Sequence, residues 1–334
     1  MKIKELGETG FINRIKTMFT HYDENIVRAI GEDTAVIRLL HNRYELLTVD
    51  TFVEGIHFDF SFTSPRDTGK RCMGAALSDI AAMGGIPTAA LVSISISPER
   101  EVNEILNMYR GIKDYALRYN CPVAGGETTS TKGPIVIAIT IRGETHSDQY
   151  LTRSGANPYD EIYVTGTLGD SRAGLESLSK NLPIPLQYQK KAFLKPVPRI
   201  HEARFLLENI HPTSAIDLSD GLSTDLGHLC DESTCGACIR WDAIPLSSGT
   251  KKVAELMNVD PQVLALNGGE DFELLLTTPH NIAEKISEEF KERFGIPLTK
   301  IGEILKDTKI RIIVMPDGNE MPLKPSGYDH FNRV

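Results

Sequence analysis

An alternation of strand-like and helix-like segments most constrains the fold of this chain, because it runs through both halves and lapses only once. The lapse falls at residues 143–159, which are polar and contain Gly155 and Pro158. A chain of 334 residues is also long for one hydrophobic core. We therefore predict two domains, residues 1–145 and residues 146–334, and place both in the α/β class.

The expected elements follow from hydrophobic periodicity and from helix-ending glycines and prolines. In the first half we predict strands at Ala35–Leu40, Tyr44–Val53, Ala89–Ser97, Pro122–Val123 and Ile135–Arg142, helices at Pro65–Met83 and Glu99–Tyr119, and a polar glycine-rich loop between the last two strands. In the second half we predict strands at Glu161–Thr165, Ile216–Leu218, Phe272–Leu276 and Ile310–Met315, a turn at Gly166–Asp170 leading into a helix, and a helix beginning within Ser219–Cys230.

The charge balance excludes some classes of partner. The chain has 36 basic and 45 acidic residues and a net charge of −9. Such a chain has no general attraction to nucleic acid or to anionic membranes. Residues 1–20 lack the apolar run of a secretory signal, and Ile135–Ile141 is too short to span a bilayer. We therefore expect a cytoplasmic protein that binds neither nucleic acid nor membrane.

The cysteine pattern does not indicate a disulfide framework. The five cysteines are an odd number in a long chain. Cys230, Cys235 and Cys238 have a C-x4-C-x2-C spacing that matches part of an iron–sulfur pattern, but no fourth cysteine follows. We expect reduced structural thiols.

Six short segments combine acidic residues with glycine or hydroxyl residues, and each lies beside an apolar run. They are Gly31–Asp33, Thr48–Thr51, Leu77–Asp79, Gly125–Thr129, Asp217–Gly221 and Gly268–Asp271. The chain has no P-loop, dinucleotide fingerprint or protein-kinase signature. Carboxylates that converge repel one another unless cations lie between them, and oxygen ligands suit Mg²⁺. The segments therefore favour metal-assisted phosphoryl transfer.

These segments, in this order and spacing, resemble the thiamine-monophosphate kinase family, within the superfamily that includes aminoimidazole ribonucleotide synthetase. The resemblance extends from Gly31 to Phe331. It is carried by the stretches Asp50–Phe58, Leu77–Gly84, Leu151–Gly155, Ala215–Leu222, Gly268–Leu274 and Gly327–Phe331. It implies ATP-dependent phosphorylation of thiamine monophosphate, and a homodimer in which the N-terminal sheets of two subunits pair while the C-terminal α/β domain completes the substrate site.

The resemblance also implies a role for individual residues. Implied magnesium ligands are Asp33, Thr48, Val49 through its carbonyl, Asp50, Asp79, Glu127, Asp217 and Asp220. Implied ATP contacts are Tyr109, Gly126, Glu127, Arg153 and Ser219, and implied substrate contacts are His57, Glu270 and Tyr328. The chain departs from the family pattern where Glu32 and Glu127 replace aspartates and where Tyr328 replaces the tryptophan of some relatives.

A phosphate monoester with a second pKa of about 6 is largely a dianion at neutral pH, so the acceptor oxygen needs no general base. We therefore expect direct in-line transfer with several Mg²⁺ ions, no phosphoenzyme and no catalytic base. Two alternatives stay open: another ATP-using enzyme of the same superfamily, such as an aminoimidazole ribonucleotide synthetase, and a non-catalytic sensor of a metal–nucleotide complex.

Overall fold

The computed structural model describes residues 2–19, 22–146, 150–182 and 187–331. The α-helices of these residues are α1 (Ile3–Met18), α2 (Pro65–Ala82), α3 (Val102–Arg118), α4 (Asp170–Ser179), α5 (Gln187–Leu194), α6 (Ile200–Ile210), α7 (Leu222–Ser233), α8 (Ser248–Met257), α9 (Pro261–Asn267) and α10 (Ser287–Phe294). Their strands are β1 (Ile26–Arg28), β2 (Ala35–Arg38), β3 (Arg43–Val53), β4 (Ile86–Ile96), β5 (Val123–Ser130), β6 (Val136–His146), β7 (Glu161–Thr165), β8 (Ser214–Asp217), β9 (Gly236–Arg240), β10 (Leu274–Thr278), β11 (Leu298–Leu305), β12 (Arg311–Val314) and β13 (Glu320–Pro322).

The first half forms a six-stranded sheet in the order β1-β2-β3-β6-β4-β5. Its strand pairs are antiparallel except for the parallel pair of β4 and β5. Side chains alternate along β3, so that Leu46 and Phe52 are buried while Val49 is 62% exposed. One face of this sheet is therefore covered, and the other presents Val49 to solvent.

Helices α2 and α3 pack closely together over this sheet. A Cβ atom on Gly69 would lie 2.0 Å from the Met108 carbonyl oxygen, and one on Gly111 would lie 1.9 Å from the Arg66 carbonyl oxygen. The two backbones can approach this closely only because both positions lack a side chain. Helix α2 begins at Pro65, where the Ser64 side chain accepts the amide of Asp67.

One predicted element is wrong. The glycine-rich segment that we expected to be a loop is part of β5, which forms a parallel ladder with β4 from Val123 to Ser130. Gly126 lies so close to the Val92 carbonyl that a Cβ atom at this position would be 1.8 Å from its oxygen. Glycine lowers strand propensity, but here the absence of a side chain permits the pairing.

The second half forms a seven-stranded sheet in the order β13-β12-β9-β11-β7-β10-β8. Among the described strands of this second sheet, only β9 and β12 pair in parallel. All residues of β7, β8 and β10 are buried, which matches their continuous apolar sequences. Strand β8 lies at the edge of the sheet and ends at Asp217, and the next helix, α7, begins at Leu222, three residues after Ser219.

All five cysteines are free thiols, as expected, and only Cys238 is not fully buried. Among the described helices, none combines the length and the apolar character needed to cross a bilayer.

Candidate active site

Carboxylates from both halves of the chain meet between the two sheets. Asp33 precedes β2, Asp79 lies near the end of α2, and Asp217 ends β8. One carboxylate oxygen from each of these three residues lies within 4.8 Å of the others. Asp50, in β3, adds a fourth charge that acts on Asp33 and Asp79. We call Asp33, Asp50, Asp79 and Asp217 the acid cluster.

Neighbouring hydroxyl groups hold two of these carboxylates in place. The Thr48 hydroxyl donates to Asp79 Oδ2, and the Ser78 hydroxyl donates to Asp217 Oδ2 over 2.6 Å. By contrast, Asp33 Oδ2 is buried and has no hydrogen-bond partner in the described part of the chain. An unpartnered buried carboxylate oxygen is costly, so this position favours a cationic ligand.

Burial and mutual repulsion raise the pKa values of the acid cluster. Burial, with the charge of Asp33, raises the pKa of Asp50 to about 6 and that of Asp217 to about 7. Burial and the charges of Asp50 and Asp217 raise the pKa of Asp79 well above its ordinary range. The ionised cluster is thus unfavourable by itself at neutral pH, and divalent cations would relieve the repulsion.

Arg153 is the cation nearest to the acid cluster. Its Nε donates to Asp33 Oδ1 over 3.1 Å, a second guanidinium nitrogen bonds the same oxygen, and its backbone amide donates to Glu32 over 2.7 Å. Burial acts to lower the pKa of Arg153, but the charge and hydrogen bond of Asp33, together with the charges of Asp217 and Asp225, raise it above its ordinary value. Arg153 therefore stays charged beside the acid cluster.

The turn between β8 and α7 brings Ser219 and Asp220 to the same region. The amides of Asp220 and Gly221 donate to Asp225 Oδ2 over 3.1 Å and 3.0 Å, which fixes the turn. Burial and the charge of Glu8 raise the pKa of Asp220 to about 7. Asp220 is not one of the three acids whose oxygens converge within 4.8 Å.

The three residues expected to contact the substrate lie in one neighbourhood. The His57 and His330 rings are 5.0 Å apart, and the Tyr328 ring meets the His330 ring edge-on at 4.9 Å. Glu270 acts electrostatically on both His57 and Asp220. Its amide donates to the Ser219 carbonyl over 2.7 Å, which ties it to the turn after β8.

His57 is neutral and has a defined tautomer. The Val53 amide donates to His57 Nδ1 over 3.0 Å, so the ring proton lies on Nε2. Burial, with the neighbouring His330, lowers the pKa of His57 to about 4. The ring therefore offers an Nε2 donor without a positive charge at neutral pH.

Sequence reasoning missed Arg71, which connects this neighbourhood to α2. Its guanidinium bonds Glu270 and donates to the carbonyls of His57 and Phe193 over 3.3 Å and 2.8 Å. The available signal was its position seven residues before Ser78, which places both on one face of a helix.

The other predicted nucleotide and metal residues do not lie in the acid cluster. Asp50 pairs with Ile139, Ile139 with Val92, and Val92 with Gly126, so three strand spacings separate Asp50 from Gly126. This separation is about 14 Å. Glu127 is exposed on β5 and Tyr109 is half-buried on α3. The Val49 side chain lies on the open face, which does not bear on the predicted ligand, its carbonyl. The structure therefore does not bring Glu127 to Asp33, Asp79 and Asp217.

Comparisons with known proteins identify the family. Residues 31–145 match the AIR synthase related protein N-terminal domain, and residues 157–315 match the AIR synthase related protein C-terminal domain. The chain is 34% identical to thiamine-monophosphate kinase from Bacillus subtilis, over 98% of this chain and 100% of the relative. It is 35% identical to thiamine-monophosphate kinase from Escherichia coli K12, over 97% of this chain and 98% of the relative. The chain belongs to the thiamine-monophosphate kinase family.

A solved structure of the same family supports the fold. AaThiL complexed with AMPPCP and TMP has a TM-score of 0.84 with this chain at 32% sequence identity, and the match covers 99% of each chain. The predicted two-domain α/β architecture related to aminoimidazole ribonucleotide synthetase is therefore confirmed, with one mixed sheet in each half.

Proposed function

We propose that this chain transfers the γ-phosphoryl group of ATP to the phosphate of thiamine monophosphate and so forms thiamine diphosphate. The observation that carries the proposal is the meeting of Asp33 and Asp79 from one half with Asp217 from the other within 4.8 Å. Family membership and the solved complex of a relative with AMPPCP and TMP support the same substrates.

The acid cluster is the proposed site of several Mg²⁺ ions. Asp33, Asp50, Asp79 and Asp217 supply hard oxygen ligands, and the unpartnered Asp33 Oδ2 is the kind of atom that such an ion would satisfy. Thr48, Val49 through its carbonyl, and Asp220 are proposed further ligands of these ions, whereas Glu127, which lies outside the acid cluster, is a proposed ligand of a separate ion. When bound, the ions neutralise charge on the phosphates of both substrates and align the reacting atoms.

The protein side chains then have binding and orienting roles. Arg153 is proposed to move from Asp33 to an ATP phosphate once cations occupy the acid cluster, because its guanidinium already lies beside that cluster. Tyr109, Gly126, Glu127 and Ser219 are proposed ATP contacts. The acceptor phosphate is a dianion at neutral pH, so no residue is needed as a general base.

The ring end of thiamine monophosphate is proposed to lie against His57, Glu270 and Tyr328. Tyr328 offers a face for stacking on a cationic heterocycle. Neutral His57 offers its Nε2 proton, and Glu270 offers an acceptor and a negative charge. The three residues are therefore suited to a flat, positively charged, amine-bearing ring.

We also propose a homodimer and a division into domains at about residue 145. The open face of the first sheet exposes Val49 and Leu91, which are 62% and 48% exposed, and every residue of the edge strand β5 is exposed in the single chain. An uncovered sheet edge beside apolar residues favours pairing with a second copy. Light scattering that gives the mass of one chain at micromolar concentration would contradict the dimer.

The direct test of the activity is to incubate the protein with ATP, Mg²⁺ and thiamine monophosphate and to measure thiamine diphosphate by chromatography. Free thiamine in place of the monophosphate is the matched control and should give no product. Binding of ATP without its consumption, with thiamine monophosphate present, would indicate a sensor and refute the proposed transfer.

A further inference from the structure

Arg71 is a buried arginine that contacts three separate segments of the chain. Its side chain is only 3% exposed. It donates to the His57 carbonyl in the segment after β3 and to the Phe193 carbonyl in α5, and it forms an ion pair with Glu270 in the segment before β10. Its guanidinium also lies 3.9 Å above the centre of the Phe193 ring.

We infer that Arg71 is a positioning residue that orients Glu270 and His57 toward the ring of the substrate. The inference rests on the proposed function, because it assigns these two residues to the ring of thiamine monophosphate. Arg71 itself is covered by protein, whereas the Glu270 side chain is 34% exposed. Arg71 thus holds one carboxylate oxygen of Glu270 and leaves the other for a ligand.

The backbone conformation of Glu270 needs support from neighbouring groups such as Arg71. Glu270 adopts φ 63° and Phe272 adopts φ 51°, a left-handed conformation that is unfavourable for residues other than glycine. A strained segment keeps one conformation only when its surroundings determine it. The ion pair with Arg71 and the hydrogen bond that the Glu270 amide donates to the Ser219 carbonyl hold this conformation.

Arg71 also relates the ring end of the site to the acid cluster. Arg71, Gly74 and Ser78 lie on one face of α2. The Ser78 hydroxyl donates a hydrogen bond to Asp217. A Cβ atom on Gly74 would lie 2.9 Å from the Pro196 carbonyl oxygen, so this face is closely packed. Seven residues of helix separate Arg71 from Ser78, a rise of about 10 Å. One rigid helix therefore sets the distance between the ring contacts and the cluster.

The contacts of Arg71 with two carbonyls and one carboxylate depend on the planar, forked shape of its guanidinium group. A lysine ammonium keeps the positive charge but is a point charge on a flexible stem, and it cannot reach two carbonyls and a carboxylate in the same fixed geometry. Arg71→Lys therefore removes orientation while it preserves charge, which separates positioning from electrostatic attraction.

The test compares substrate binding by wild type, Arg71→Lys and the control Arg66→Lys. Arg66 lies on the same helix and pairs with Asp114 of α3 on the protein surface. Calorimetry with thiamine monophosphate gives Kd without turnover, and kinetics give KM for each substrate. We expect Arg71→Lys to raise the Kd and KM for thiamine monophosphate about tenfold and to change the KM for ATP less than about twofold. Arg66→Lys should match wild type.

A second variant guards against misfolding of the first. Phe193→Leu removes the ring beneath the guanidinium and should raise the KM for thiamine monophosphate about threefold with the KM for ATP unchanged. Unchanged binding of thiamine monophosphate in both variants, or an equal rise in both KM values, would overturn the inference. If wild type binds thiamine monophosphate but forms no thiamine diphosphate, the proposed transfer fails while weaker binding by Arg71→Lys still supports positioning.

Discussion

Replacing Asp217 by asparagine should stabilise the metal-free protein while abolishing its activity. Asp217 is buried and its carboxylate faces Asp33, which raises its pKa from an ordinary 3.8 to about 7. The folded chain therefore binds a proton at Asp217 up to pH about 7, and the unfolded chain only up to about 4. Since the folded state binds more protons in this window, the free energy of unfolding falls as the pH rises through it.

The expected size follows from the same values. A pKa raised from 3.8 to about 7 corresponds to about 4 kcal/mol of destabilisation above pH 7, at about 1.4 kcal/mol per pH unit. Asparagine removes this cost, and it can still accept the Ser78 hydroxyl that now donates to Asp217. Imperfect hydrogen bonding of the new amide costs about 1 kcal/mol. We therefore expect a net gain of about 3 kcal/mol near pH 8 and of about 1 kcal/mol or less near pH 5.

Urea unfolding of wild type and Asp217→Asn in EDTA, followed by circular dichroism at about pH 8 and about pH 5, measures both values. Added Mg²⁺ should raise the stability of wild type more than that of the variant, because only wild type keeps the full acid cluster. A variant that is less stable than wild type at pH 8, or a gain that is equal at the two pH values, would show that the raised pKa of Asp217 does not destabilise the folded protein.

Three further predictions concern other residues of the site and the sheet. Asp50→Asn should lower kcat about a thousandfold with an unchanged circular dichroism spectrum, because it removes a proposed metal ligand from the acid cluster; turnover equal to wild type would contradict that role. Gly126→Ala should cost at least about 2 kcal/mol in urea unfolding, since a Cβ atom would lie 1.8 Å from the Val92 carbonyl oxygen, whereas the control Gly125→Ala, with its nearest atom 3.6 Å away, should cost much less. His57 should stay neutral in NMR titration until the pH falls to about 4, since burial and His330 lower its pKa; protonation near pH 6.5 would show that the ring is not held as described.

The sequence predicted the elements that have strong periodicity. The alternating residues of Tyr44–Val53 and the helical pattern from Pro65 onward correspond to β3 and α2 within two residues. Strand β3 has one buried face, and its alternating pattern depends only on local geometry. Helix α2 is buried on nearly all sides after Arg71, and its prediction rested on its start at Pro65 and on the glycines and proline that follow it. The acid-containing segments beside the apolar runs were expected to supply carboxylates to one metal site, and Asp33, Asp79 and Asp217 do meet.

The register of the glycine-rich strand was not predictable in the same way. Residues 125–129 are glycine, glutamate and threonine, a composition typical of a loop. They form a strand because β4 provides a neighbouring backbone and Gly126 can approach it. Which strand pairs with which is decided by tertiary packing, so the separation of about 14 Å between Asp50 and Gly126 could not be obtained from the sequence.

Arg71 shows a second limit. Helix α2 contains two arginines, Arg66 and Arg71, and the seven-residue spacing of Arg71 from Ser78 is too weak a signal to show which of them is buried. Its role depends on Glu270, which is 199 residues away in the sequence and was assigned only by resemblance to a family. Contacts between distant charged side chains become visible only when the two halves are placed together.

The most direct test of the central claim is a crystal structure of this protein with Mg²⁺, a non-hydrolysable ATP analogue and thiamine monophosphate. We predict metal ions at about 2.1 Å from carboxylate oxygens of Asp33, Asp79 and Asp217, between the phosphates of the two substrates. Phosphates bound elsewhere, with no metal between these three carboxylates, would contradict it.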